Sequence, residues 1–147
     1  VGMAQGIIIV LGGTSATDGT ALNTILHSIS QAMQGFPPVI SAWLMYIFQA
    51  VFNFFVVSGS GQAALTMPIM APLADLVGVE RQVACEAFQL GDAFTNVIVP
   101  TSGVLLGALA AAKLEWGQWA KFQIKFQALL FIMSSATVIL AVLVGLS

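Results

Sequence analysis

The sequence predicts an all-α integral membrane protein built around a re-entrant helical hairpin and a broken transmembrane helix, and three observations carry that prediction. First, 59% of the 147 residues are hydrophobic and 7% are charged, with a mean hydropathy of +0.98, whereas soluble domains carry roughly a quarter charged residues. Second, no Asp, Glu, Lys or Arg occurs between Gly19 and Ala74, a run that a water-soluble fold could not cover with polar surface. Third, two apolar stretches are interrupted by residues that unwind helices, at "SGSGQ" (58–62) and "FTNVIVPTSG" (94–103).

The elements follow in order. Residues 1–18 read as the end of a helix and a loop: "VGMAQGIIIVL" is too short to span a bilayer, and "GGTSATDG" favours turns. The opening at Val1 inside an apolar run, without a charged leader, reads as a fragment of a longer protein. Residues 19–35 predict an interfacial amphipathic helix, with Asp18 as N-cap and Leu22, Ile25, Leu26, Ile29 and Met33 opposite Asn23, His27, Ser30 and Gln34. On that polar face His27 reads as a headgroup-level side chain rather than a proton relay.

Residues 37–77 predict the hairpin. An apolar helix over 39–57 carries Trp43 and Tyr46 near its start, where interfacial aromatics belong. After the tip at 58–62, residues 63–77 make a helix about 22 Å long, short of the roughly 30 Å hydrocarbon core. The polar turn 74–82 returns to water. Residues 83–112 predict a transmembrane helix broken at 94–103, where Pro100 removes a backbone donor. Residues 113–125 predict a basic, Trp-rich cytoplasmic interfacial linker, and 126–146 an uncharged last transmembrane helix. Lys113, Lys121 and Lys125 there, against Asp75 and Glu80 in the earlier turn, put the C-terminus outside by the positive-inside rule.

Unwound backbone inside a bilayer persists only where protein or a water-filled cavity satisfies it, so each interruption predicts a site. Helices beginning near Gln62 and Thr101 aim N–H groups at the interruption, and with Ser60, Gly61, Thr101, Ser102 and Gly103 they suit a carboxylate. Helices ending near Val57 and Thr95 leave carbonyls that, with Ser58, Gly59, Thr95 and Asn96, form the kind of oxygen cage a dehydrated sodium ion accepts. Gly59, Gly61 and Gly103 permit close backbone approach, although small residues also serve ordinary helix packing. Asp92, one turn before the second interruption, is costly in lipid unless it faces a partner or water. It reads as a proton acceptor, a cation ligand, a partner for a solute amino group, or a carboxylate bonded to a neighbouring helix. Glu86 ranks below it, nearer the outer end of the helix.

Other classes are excluded or demoted. Four Lys plus Arg make no basic stripe for nucleic acid. The single Cys85 excludes an internal disulfide and a Cys-based metal site, and reads as a small buried hydrophobe. An intramembrane serine protease would need a His beside Ser60, and the only His, His27, lies on the interfacial helix. Two breaks meeting at mid-depth suit a closed binding site better than the continuous pore of a channel.

The stretches "SGSGQAALTMPIMAPLADLVGV" and "FQLGDAFTNVIVPTSGVLLGAL" resemble the C-terminal half of YfcC-like members of the C4-dicarboxylate anaerobic carrier family, within the ion transporter superfamily. The resemblance implies one half of an inverted-repeat secondary transporter, each half holding a re-entrant hairpin and a broken helix, in the cytoplasmic (inner) membrane of a bacterium. It implies a missing N-terminal half of the same protein and, for the complete carrier, a homodimer, with no cofactor, no catalytic residue, and sodium or a proton as coupling ion. The implied solute and ion contacts fall at Ser58 to Gln62 and at Thr95, Asn96, Pro100, Thr101, Ser102 and Gly103. Because this chain brings Asp92 and Glu86 but no Lys or Arg into the membrane, an amino acid fits better than a doubly negative C4-dicarboxylate. The expected function is ion-coupled transport of a small carboxylate-bearing solute.

Overall fold

In a computed structural model the described residues are 31 and 35–145. The expected loop at 1–18, nearly all of the amphipathic helix, and His27 lie outside them. The described elements are five helices: α1 Pro38–Asn53, α2 Gly59–Leu76, α3 Arg81–Thr95, α4 Gly103–Ala111 and α5 Trp116–Val144.

Helix α1 starts at a Pro-Pro pair, where a missing N–H costs nothing. Its buried stripe, Ser41, Met45, Gln49 and Asn53, repeats every four residues and so lies along one face. The helix stops at Asn53, and Phe54 and Phe55 close tight turns back to Val51 and Phe52. The interruption therefore covers 54–58, earlier than the expected 58–62. Its end is set by Ser58, whose extended backbone and hydroxyl cap α2 by accepting the Gly61 N–H at 3.3 Å. Gly59 to Gln62 are thus the first turn of α2, and not a loop.

Starting at Gly59 lengthens α2 to 18 residues, about 27 Å, so shortness alone no longer distinguishes it from a crossing helix. Reversal of the chain is clear at both ends of the hairpin. Gln62 bonds Gln49 near the tip, and a Cβ at Gly78 would stand 3.9 Å from Cγ of Pro38 at the base. Gly78, at φ +70, ends α2 in the left-handed conformation that glycine adopts without a Cβ clash.

Helix α3 buries Val83, Ala84, Ala87 and Gly91, and α1 packs chiefly against it. That face points Cys85 the other way, so the thiol is exposed rather than buried as the sequence reading had it. At Gly91 the two helices nearly touch: a Cβ would meet the Gln49 Cβ at 2.8 Å and the Ala50 N at 2.9 Å. Helix α5, 29 residues and about 43 Å long, packs against α1 and α3. Among the described residues it is the one helix both long and apolar enough to cross a membrane unaided. It begins at Trp116, so most of the expected 113–125 linker is helix. Trp43 and Tyr46 also meet α5: the Trp43 indole donates to Ser135 Oγ at 3.1 Å, and the buried Tyr46 ring lies 5.7 Å from Phe131.

Candidate solute and ion site at two chain interruptions

The C-terminal ends of α1 and α3 are tied together by one side chain. Asn53 Nδ2 donates towards Asp92 O at 3.1 Å, Thr95 Oγ1 at 2.6 Å and Asn96 Oδ1 at 3.1 Å. Thr95 in turn donates to Gly91 O, and Asn96 Nδ2 to Asp92 Oδ1 at 3.2 Å. Both helix ends carry the negative pole of the backbone dipole. Thr95, Asn96 and Asp92, all half-buried, therefore meet where a cation is favoured.

The N-terminal ends of α2 and α4 approach the same place. Asp92 Oδ2 lies against Gly59, only 3.0 Å from where a Cβ would be, so a carboxylate of this chain faces the positive end of α2. Helix α4 is capped by Ser102, which accepts the Leu105 N–H at 3.3 Å. Thr101 donates to Phe54 O at 2.9 Å, joining one interruption to the other. Ser102 is buried, whereas Ser58, Ser60, Thr101 and Gly103 are exposed. Among the described residues no hydrogen bond joins Ser60 or Gly103 to this cluster, and Pro100 sits in the turn before α4 without contacting it through a polar group.

Several carbonyls expected to be open are taken by side chains. Trp116 and Trp119 donate to Ile98 O and Val97 O, each at 2.9 Å, and Gln127 to Phe94 O at 3.0 Å. These indoles hold the chain interruption in place, a role that an aromatic-belt reading of the sequence misses. The Asn53 Oδ1 and Asp92 Oδ2 oxygens take no such bond among the described residues, unlike the Phe94, Val97 and Ile98 carbonyls.

Three further residues escaped the sequence reading. Gln49 and Asn53 are fully buried in α1, with 1% and 0% exposure; the available signal was two amides one turn apart in an uncharged apolar helix. Gly91, invisible to any motif, sets the α1–α3 distance. Gln62, expected at the tip, is 0% exposed and donates through Nε2 to both Gln49 O and Gln49 Oε1 at 2.9 Å.

No Lys or Arg joins the cluster among the described residues. Arg81 is bound outside it, donating through Nε and Nη2 to the exposed Asp75, whose carboxyl these bonds hold below the usual range. Glu86 lies apart, with one carboxylate oxygen buried and without a partner among the described residues, beside a groove of about 240 Å³ between α3 and α5.

Comparison with known proteins gives the chain its setting. The family model described as the C4-dicarboxylate anaerobic carrier, DcuC, matches residues 1–143. An Escherichia coli K12 protein named "Putative basic amino acid antiporter YfcC" is 53% identical over 145 residues, covering 99% of this chain and 29% of that protein. An uncharacterized Haemophilus influenzae protein is 31% identical, covering 97% of this chain and 27% of that protein. The chain thus spans less than a third of the length of the curated relatives it matches. No solved structure matches it significantly. With a match over nearly its whole length, the chain belongs to the DcuC family of C4-dicarboxylate anaerobic carriers, membrane transporters and not enzymes.

Proposed function

We propose that this chain supplies one repeat of an ion-coupled secondary transporter that moves a small carboxylate-bearing solute, an amino acid, by alternating access across the bacterial inner membrane. The observation that carries the reading is the meeting of four helix ends through named contacts: Asn53 with α3, Asp92 with α2, and Thr101 with Phe54. Interrupted helices joined in this way are how carriers bind solutes away from lipid.

The arrangement divides the labour. The N-terminus of α2 already faces Asp92, so the solute carboxylate goes to the start of α4, at Thr101, Ser102 and Gly103. The solute amino group goes to Asp92, and sodium or a proton goes to the Thr95, Asn96 and Ser58 side. The hairpin is read as re-entrant, the C-terminus as outside, and the complete carrier as a homodimer. The name of the E. coli relative, a basic amino acid antiporter, agrees with a solute bearing an amino group.

A dicarboxylate is the second reading, favoured by the family's description. Competition separates the two: excess lysine or arginine blocks uptake under the first, excess succinate under the second. Asp92→Asn in the complete carrier should reduce amino acid uptake at least about 10-fold, one lost charge-assisted contact being roughly 1.5–3 kcal/mol. Full activity in that variant would remove Asp92 from the mechanism.

A further inference from the structure

The hydrogen-bond network fixes which way three buried amides point, and their other ends are unpaired. Asn53 Nδ2 faces three oxygens, Asp92 O, Thr95 Oγ1 and Asn96 Oδ1, so Asn53 cannot be turned over without setting oxygen against oxygen. Gln62 Nε2 faces the backbone carbonyl of Gln49, which fixes Gln62 and makes the touching Gln49 atom its Oε1. What is left over is Asn53 Oδ1, Gln62 Oε1 and Gln49 Nε2, each buried and without a partner among the described residues. An orphaned buried polar atom is costly and marks an absent ligand or a role in function.

We infer that Asn53 and Gln62 hold a cationic centre through these two amide oxygens. The inference rests on the transporter reading above and names the chemistry that its site would select. Acceptors outnumber the one unpaired donor. The C-terminal ends of α1 and α3 flank Asn53 and add negative potential, and Asp92, whose backbone carbonyl Asn53 bonds, turns its carboxylate against Gly59. Gln62 is held against Gln49, one turn before Asn53 on the buried face of α1. Neutral amide oxygens accept from an ammonium or guanidinium at the end of a basic side chain, and they also ligate a dehydrated sodium ion.

The test uses the complete carrier and compares Gln62→Lys with Gln49→Met. In Gln62→Lys the new ammonium can keep the bonds to Gln49 in place of Nε2, which removes the Oε1 acceptor and puts a fixed cation beside its position. Gln49→Met removes the bond to Gln49 Oε1, keeps the one to the backbone carbonyl, and leaves the Gln62 oxygen. Binding of lysine and of norleucine, its uncharged counterpart, is measured together with thermal stabilisation by sodium against choline. The expected result is binding of the cationic ligand about 10- to 100-fold weaker in Gln62→Lys, with a smaller change in Gln49→Met.

If lysine falls to the affinity of norleucine while the sodium effect stays, the cation is the solute side chain. If sodium stabilisation disappears and both solutes weaken alike, it is the coupling ion. Wild-type binding of both cations in Gln62→Lys, or a larger loss in Gln49→Met, would overturn the inference, leaving a structural clamp with buried water only. Should Gln62→Lys fail to fold, Gln62→Glu replaces it: it is expected to keep or raise either the preference for lysine over norleucine or the stabilisation by sodium, and loss of both overturns the inference. If the wild-type carrier binds no amino acid, the amino acid reading of the proposed function fails, and the sodium arm still decides whether the amide oxygens hold a cation.

Discussion

Gly91→Ala tests whether the α1–α3 contact sets the geometry of the site. The added Cβ would lie 2.8 Å from Gln49 Cβ, 2.9 Å from Ala50 N and 3.2 Å from Gln49 C. Carbon atoms rest about 3.5 Å apart or more, and two of these three neighbours are backbone, which cannot swing aside. The helices must therefore separate by about 0.7 Å at this level. One turn further along, that shift would stretch the 3.1 Å contact of Asn53 with Asn96 to about 3.8 Å, beyond hydrogen-bond reach. Overpacking of this kind costs about 1–3 kcal/mol. The assay is thermal unfolding of the purified complete carrier in detergent, paired with uptake in reconstituted vesicles. A lower Tm with impaired uptake is expected; an unchanged Tm and wild-type uptake would refute the claim that this crossing positions Asn53 against Thr95.

Three further outcomes follow from single contacts. Lys113 adopts φ +56 while the chain closes α4 by bonding Lys113 N to Ala110 O and Leu114 N to Leu109 O; Lys113→Gly should relieve the left-handed strain and stabilise by about 0.5–1 kcal/mol, read as a higher Tm. Trp119→Phe keeps an aromatic ring beside Phe122 but removes the donor to Val97 O, and should cost about 0.5–1.5 kcal/mol in chemical unfolding. Because Arg81 holds the Asp75 carboxyl below its ordinary value, the pair stabilises the fold above the unfolded Asp pKa of about 3.9. That contribution is lost as pH falls through the lowered folded value. Asp75→Asn should thus show a flatter acid limb in Tm against pH, and a difference that shrinks in high salt, since both groups are exposed.

What the sequence made legible is what hydrophobicity and helix punctuation encode. The second interruption could be located because Pro100 and Gly103 sit in an apolar run, and α3 stops at Thr95 and α4 resumes at Gly103. The first was placed late, because glycines inside "SGSGQ" look like a loop until the Ser58 cap is known to start a helix there. Composition also could not tell whether an indole lies at a membrane interface or reaches back to a carbonyl, as Trp116 and Trp119 do. Gln49 and Asn53 were hidden for a different reason. A polar amide on an apolar helix has no meaning until the neighbouring helix supplies its partners, and those partners lie 13 and about 40 residues away along the chain.

The same contacts bear on the charge of the solute. Two helix C-termini and two N-termini contribute half-charges of opposite sign that roughly cancel, so the site's balance is set by Asp92. A site with a net charge near −1 is neutralised by a single cation. A zwitterionic amino acid together with one monovalent ion, or a basic amino acid alone, would neutralise it equally. A doubly negative C4-dicarboxylate would raise the imbalance to about three negative charges, and burying uncompensated charge costs several kcal/mol per ion. To carry a dicarboxylate, the rest of the protein would have to bring about three positive charges to these helix ends. The amino acid reading needs one or none, which is why lysine competition, more than succinate competition, is the measurement that decides between them.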